Sequence, residues 1–188
     1  MSKPRAKWIP LLVLLLLFAS ASSASAVSAP EAPPLNADVY LKLDGISGEV
    51  QARGYENWIA LEGVRFNVSH STAPAAGSGG GRGKATMNAF TATKAWDASS
   101  VALFQATATG ASIERAKLVF VRPGEDRVPY LTIDLSAVSV ASYDFHNDSE
   151  TIELKFDAIR FSYSMTQASG VGSPPIQGGW NFKANSRV

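Results

Sequence analysis

GSGGGRGKATMNAFTATKAWDASSVALFQATATG, residues 77–110, is the stretch whose reading decides the fold of this 188-residue chain. It opens as a glycine loop, becomes strand-like over residues 87–94, and closes in the chain's one convincing helix. Within residues 97–110, Val101, Phe104 and Ala108 recur at helical spacing, with Leu103 adjacent. That pattern predicts about three turns with one apolar stripe packed on a sheet. Asp97 or Ser100 can accept hydrogen bonds from the free amides of the first turn, and Gly110 suits the left-handed residue that ends a helix.

Towards the N-terminus the signal is extended. Val39, Leu41 and Leu43 alternate with Tyr40, Lys42 and Asp44, the period of two expected of a half-buried strand, and Asp44-Gly45 and Ser47-Gly48 break it. Residues 58–68 predict a second strand. Its apolar series changes phase at Glu62-Gly63, as a β-bulge would make it do. Residues 70–84 read as a Gly/Ala/Ser loop without hydrophobic anchors, longer than most loops in compact domains. Before residue 37 lies a Pro/Ala-rich spacer, residues 27–36. It follows a leader, residues 1–26, with basic Lys3, Arg5 and Lys7, an apolar run over 9–18, and Ala24-Ser25-Ala26 as a cleavage site. That order is the secretory signal-peptide pattern. It predicts an exported chain, periplasmic or extracellular, with no stable membrane insertion once the leader is removed, because the apolar run is too short to span a bilayer.

Towards the C-terminus, strands are expected over residues 112–122, 128–145 and 150–165, the last bent at Asp157-Ala158 where its alternation shifts phase. A Gly/Pro/Ser loop over 168–179 and a short terminal strand over 180–188 complete the chain. The expectation is a mainly β domain over residues 37–188: an antiparallel barrel or sandwich of about seven to eight strands with one short α-helix. With no cysteine, its stability rests on the core and on assembly rather than on disulfides.

The whole chain carries a net charge of +1, which falls to −2 once the three leader cations are gone. A near-neutral domain of this kind argues against nucleic-acid binding. No catalytic set is visible. Gly83-Lys84 is not a phosphate loop, because Ser78 stands where the motif's first glycine belongs and Ala85 where its hydroxyl belongs. His70 and His146 are isolated at loop edges, no serine sits in a nucleophile elbow, and no pair of carboxylates is singled out. Neither an enzyme nor a cofactor or metal site is expected. Trp58, Trp96 and Trp180 read as core or interface residues.

Several stretches, taken in order, resemble one family. Residues 38–49 (DVYLKLDGISGE), Trp58-Ile59, and residues 79–84 (GGGRGK) lead into Phe90, Thr93, Lys94, Asp97, Ser100 and Leu103. Ala108-Thr109-Gly110, then Phe156, Ile159 and Tyr163, and finally Gly179-Trp180, Lys183-Ala184-Asn185 and Val188 continue the series. The ordered set resembles the Hcp (haemolysin-coregulated protein) family of type VI secretion systems. That resemblance implies a non-enzymatic Hcp-like barrel forming hexameric rings, as tube component or effector carrier. Rings of the family stack head to tail under a spike protein and hold small effector proteins. It makes Gly79, Gly80, Gly81, Arg82, Gly83 and Lys84 a candidate contact loop to a neighbouring subunit or ring. Two features depart from the family pattern: the leader, and Val101 where a proline often opens the helix. The competing reading is a secreted monomeric β-sandwich that binds a ligand or host surface without forming a tube; an exported hydrolase comes third.

Overall fold

The computed structural model describes residues 37–71, 83–123, 129–164 and 174–188. The leader, the spacer and residues 79–82 lie outside the described residues. Among the described residues, ten strands and one helix follow in the order β1 (Asp38–Leu43), β2 (Ile59–Leu61), β3 (Gly63–Ser71), β4 (Lys84–Ala95), α1 (Ser100–Thr109), β5 (Ser112–Val121), β6 (Pro129–His146), β7 (Ser149–Lys155), β8 (Ala158–Tyr163), β9 (Ile176–Asn181) and β10 (Ser186–Arg187). The chain is mainly β and every ladder is antiparallel.

The ladders close a circuit. β1 pairs with β5, β5 with β6, β6 with β7, β7 with β4, and β4 with β3. β2, one residue before β3, returns to β1. The joint is Glu62, whose amide donates to the Thr93 carbonyl at 2.8 Å. The bulge expected there is thus a break that lets one length of chain pair with β1 at one end and β4 at the other. β8, β9 and β10 extend the wall from the second edge of β6.

The strand count exceeds the expected seven to eight because long runs are divided. The 150–165 run splits at Phe156-Asp157, and both pieces pair with β6. Opposite that break Ala137 takes φ 54°, and the Asp157 amide donates to the Ser136 carbonyl at 3.0 Å. Both strands of this long hairpin therefore bend at one level. The terminal strand expected over 180–188 is instead a hairpin, β9 and β10. Gln177, Gly178 and Gly179, expected in a loop, lie opposite Ser162, Phe161 and Arg160. A Cβ on Gly179 would come within 2.3 Å of the Ile159 carbonyl oxygen, so glycine is what lets β9 approach so closely. The loop expected over 70–84 is likewise shorter: His70 pairs with Ala85 and Ser71 with Lys84. These residues are mostly polar, and the ladder there carries no apolar alternation to announce it.

The core takes Leu41, Phe90, Leu118, Ile133, Ile152 and Leu154 from the barrel strands and Leu103 from the helix, all buried. Each such side chain contributes about 1.5–3 kcal/mol by leaving water. A smaller cluster, Tyr40, Tyr55, Val119 and Val121, lies on the outer side of the β1–β5 ladder, with Val50, Ala52 and Trp58 packed against it.

The helix is where residues 97–110 predict it, but its face is not the predicted one. Ser100, Leu103 and Ala106 are buried, whereas Val101 and Phe104 are 57% and 56% exposed. Leu103 must fill the core, and the small Ala106, one turn on, lets the helix approach it. Phe104 instead meets Tyr143 edge-on at 5.9 Å. Gly110 closes the helix at φ 65°, with the Gly110 amide donating to Thr107 and the Ala111 amide to Ala106.

Candidate assembly surfaces

The helix start is fixed by a buried ionic network. Lys94 on β4 and Glu150 on β7 are cross-strand partners, both fully buried, with Nζ and Oε2 2.6 Å apart. Lys94 Nζ also lies 2.9 Å from Asp97 Oδ1 and donates to Ser100 Oγ at 3.0 Å. Ser100 Oγ accepts from the Asp97 amide at 2.9 Å, and Asp97 Oδ1 accepts from the Ser99 amide at 2.9 Å. Tyr143 of β6 donates its hydroxyl to Glu150 Oε1 at 2.5 Å. Burial, then the hydrogen bond and negative charge of Glu150, push the Tyr143 hydroxyl well above its ordinary range. Every charge in the cluster has a partner, as burial requires. Lys94 and Glu150 are fully buried and paired with each other, and the network ties β4 and β7 to the helix start as a structural lock.

The lock gathers Lys94, Asp97 and Ser100 from the resemblance series, while Phe90 and Leu103 fill the core beside them. Sequence reasoning missed Glu150 and Tyr143. For Glu150 a signal existed: Ile152 and Leu154 face the core, and a period of two puts Glu150 on the same side.

Of the candidate contact loop, Gly83 and Lys84 are described. Lys84 opens β4 opposite Ser71. Gly83 lies so close to β3 that an added Cβ would stand 2.4 Å from the Ser71 carbonyl oxygen. Asn185, in the turn before β10, donates from Nδ2 to the Gly83 carbonyl and accepts from the Ala85 amide, each at 3.4 Å. The C-terminal hairpin thereby clamps the base of the β3–β4 arm. Along β3 all residues from Arg65 to Ser71 are exposed, including Phe66, which stacks on Phe90 at 5.6 Å, and Val68.

Trp96 and Phe145 form a second exposed apolar pair, ring centroids 5.3 Å apart. The three tryptophans expected in core or interface thus divide: Trp58 and Trp180 are half-buried and Trp96 stands out of the surface. His70 and His146 are not brought together. Among the described residues no group of three or more His, Asp or Glu could hold a metal ion, and no helix is long and apolar enough to cross a membrane.

Comparison with known proteins gives a consistent result. The family described as "Type VI secretion system effector, Hcp" matches residues 40–163. Among solved structures, the chain is similar to a type six secretion system protein, with 25% identity and a TM-score of 0.71 over 81% of this chain and 99% of that one. It is similar also to Hcp1 from Salmonella typhimurium, with 28% identity and a TM-score of 0.66 over 82% and 100% of the two chains. A type VI secretion system effector from Yersinia pestis shares the fold at 21% identity and a TM-score of 0.61, over 77% and 99%. No curated protein matches by sequence.

Proposed function

The chain belongs to the Hcp family of type VI secretion systems, and from that premise we propose that it is a non-enzymatic ring-former, six copies to a ring. The observation that carries this reading is the family match over residues 40–163, which spans the barrel from β1 to β8. The closed circuit of ladders supports it, because a barrel wall offers whole side-chain faces for packing against a neighbour. The exposed arm supports it too: among the described residues β3 pairs along one edge only, with β4, and the free edge of such a strand is usually covered or blunted. Residues 1–26 export the chain to the periplasm or beyond, the 27–36 spacer separates them from the barrel, and residues 37–188 form the domain. Within this reading the rings stack as tube segments, meet a spike protein and carry small effector proteins. Gly79, Gly80, Gly81, Arg82, Gly83 and Lys84, which lie between β3 and the start of β4 in sequence, make the contact to the adjacent subunit or ring. Catalysis has no part in it.

Size-exclusion chromatography with light scattering tests the ring. Six protomer masses are expected, and a strictly monomeric species at tens of micromolar overturns it. Deleting residues 79–83 should weaken assembly; an unchanged oligomer would remove the loop from the interface.

A further inference from the structure

The outer side of the β1–β5–β6 wall holds a recess of about 430 Å³, within the size range of small-ligand sites. Its floor is a grid set by register. Lys42, Lys117 and Asp134 are successive cross-strand partners, and Arg115 lies opposite Ser136 one pleat along. Asp44 follows Lys42 by two residues, and its amide donates to the Arg115 carbonyl at 3.1 Å. Trp58, half-buried, forms the side wall. A second recess, of about 630 Å³, shares Lys42, Asp44, Trp58 and Arg115 with the first, so the two flank one indole and one ion pair. Together they suit a chain of rings.

The indole is held in place before any ligand arrives. The Trp58 amide donates to the Tyr55 carbonyl and its carbonyl accepts from the Val50 amide, each at 3.1 Å. Tyr55 meets the ring edge-on at 5.3 Å. Lys42 Nζ lies 5.9 Å from the ring centroid, the outer limit of a cation–π contact, so a flat ligand can displace it at little cost. A site fixed in this way spends little binding energy on ordering itself.

Charge narrows the ligand class. In the two recesses Lys42, Arg115 and Lys117 are matched by Asp44, Asp134 and Glu56. Just outside, Arg160 opposite Asp134 and Glu114 beside Arg115 keep the balance. An anion would therefore meet a carboxylate wherever it met a cation. A hydroxyl can use both: it donates to the carboxylate and accepts from the neighbouring cation. Such neighbours stand ready as the exposed pairs Asp44–Arg115 at 3.5 Å and Lys117–Asp134 at 3.3 Å, which open at little cost. An extended peptide finds no free edge here, because β5 is paired along both sides, with β1 and β6.

We propose that these joined recesses bind a neutral saccharide, one sugar ring stacked on Trp58 and its hydroxyls shared between the two ion pairs. The recess belongs to one copy, so its test does not turn on oligomer size. The full chain is titrated with chitotriose, cellotriose and maltotriose, followed by calorimetry and saturation-transfer NMR. At least one should bind, with an affinity that stays constant between about 0.05 and 0.5 M salt, because no net charge is exchanged. Trp58→Ala and Asp134→Asn, each shown to fold by circular dichroism, should weaken it about tenfold or more. Trp58→Phe keeps an aromatic face and should bind nearly as the wild type does. If Trp58→Ala does not fold, Asp134→Asn carries the test alone, since Asp134 stands largely in solvent. Three results overturn the proposal: no binding of any of the three at about 10 mM, binding that salt abolishes, or binding that Asp134→Asn leaves unchanged.

Discussion

Two ion pairs of the same chemistry sit in opposite settings. Lys94 and Glu150 are 2.6 Å apart with neither side chain exposed, whereas Lys117 and Asp134 are 3.3 Å apart with nearly half of each in solvent. The inner pair joins neighbouring strands and, through Asp97 and Ser100, the helix start. Its charges cannot turn to water, so the fold must hold all of the partners at once. The outer pair can rehydrate at little cost. Buried charge here ties the strands and the helix of one copy together, whereas exposed charge contributes little to that.

The comparison breaks most readily at Glu150. Glu150→Ala leaves Lys94 buried without its carboxylate on β7, and unfolding by denaturant should show a loss of about 3–5 kcal/mol. Replacing both partners, with Lys94→Met and Glu150→Leu, should recover most of that, because no charge is left uncompensated. A single-variant loss below about 1 kcal/mol would mean that Lys94 reaches water and that the two settings do not differ.

Tyr143 gives a smaller test of the same lock. Tyr143→Phe removes a hydrogen bond to a charged group and should cost about 1.5–3 kcal/mol. Its pH signature is directional. The folded hydroxyl holds its proton above the ordinary value of 10.0, so the unfolded chain releases that proton first. The stability it confers is whole below about pH 10 and is lost as pH rises towards the folded value. Wild type should therefore lose more stability than Tyr143→Phe between about pH 10 and pH 12. Parallel losses would place Tyr143 outside the lock.

The same contrast explains what was legible in the sequence. Where one face met the core, period-two alternation marked the strand: Val39, Leu41 and Leu43, then Ile152 and Leu154, all lie as read. Where a strand projects, as His70 and Ser71 do, both faces meet water and the pattern vanishes. The helix was visible through its length and Gly110, but Val101 and Phe104 misled because helical spacing cannot tell an apolar stripe that fills a core from one left facing solvent. Lys94, Asp97 and Ser100 stood out as a set, yet their purpose was hidden, since Glu150 lies 56 positions from Lys94 and only the β4–β7 register unites them. The row Lys42, Lys117, Asp134 and Arg160 across β1, β5, β6 and β8 is likewise invisible until register is known.

The outer pair supplies the finest test. Lys117→Ala removes a half-exposed ammonium whose partner Asp134 keeps its water, so the unfolding free energy of one copy should change by about 0.2–1 kcal/mol at low salt. Salt should shrink that difference further, because surface pairs are screened over about 10 Å at 0.1 M. Denaturant titrations at low and high salt measure both. A loss approaching that of Glu150→Ala would mean that Lys117 holds the barrel wall together. Its charge would then be structural, and the contrast between the two settings would fail.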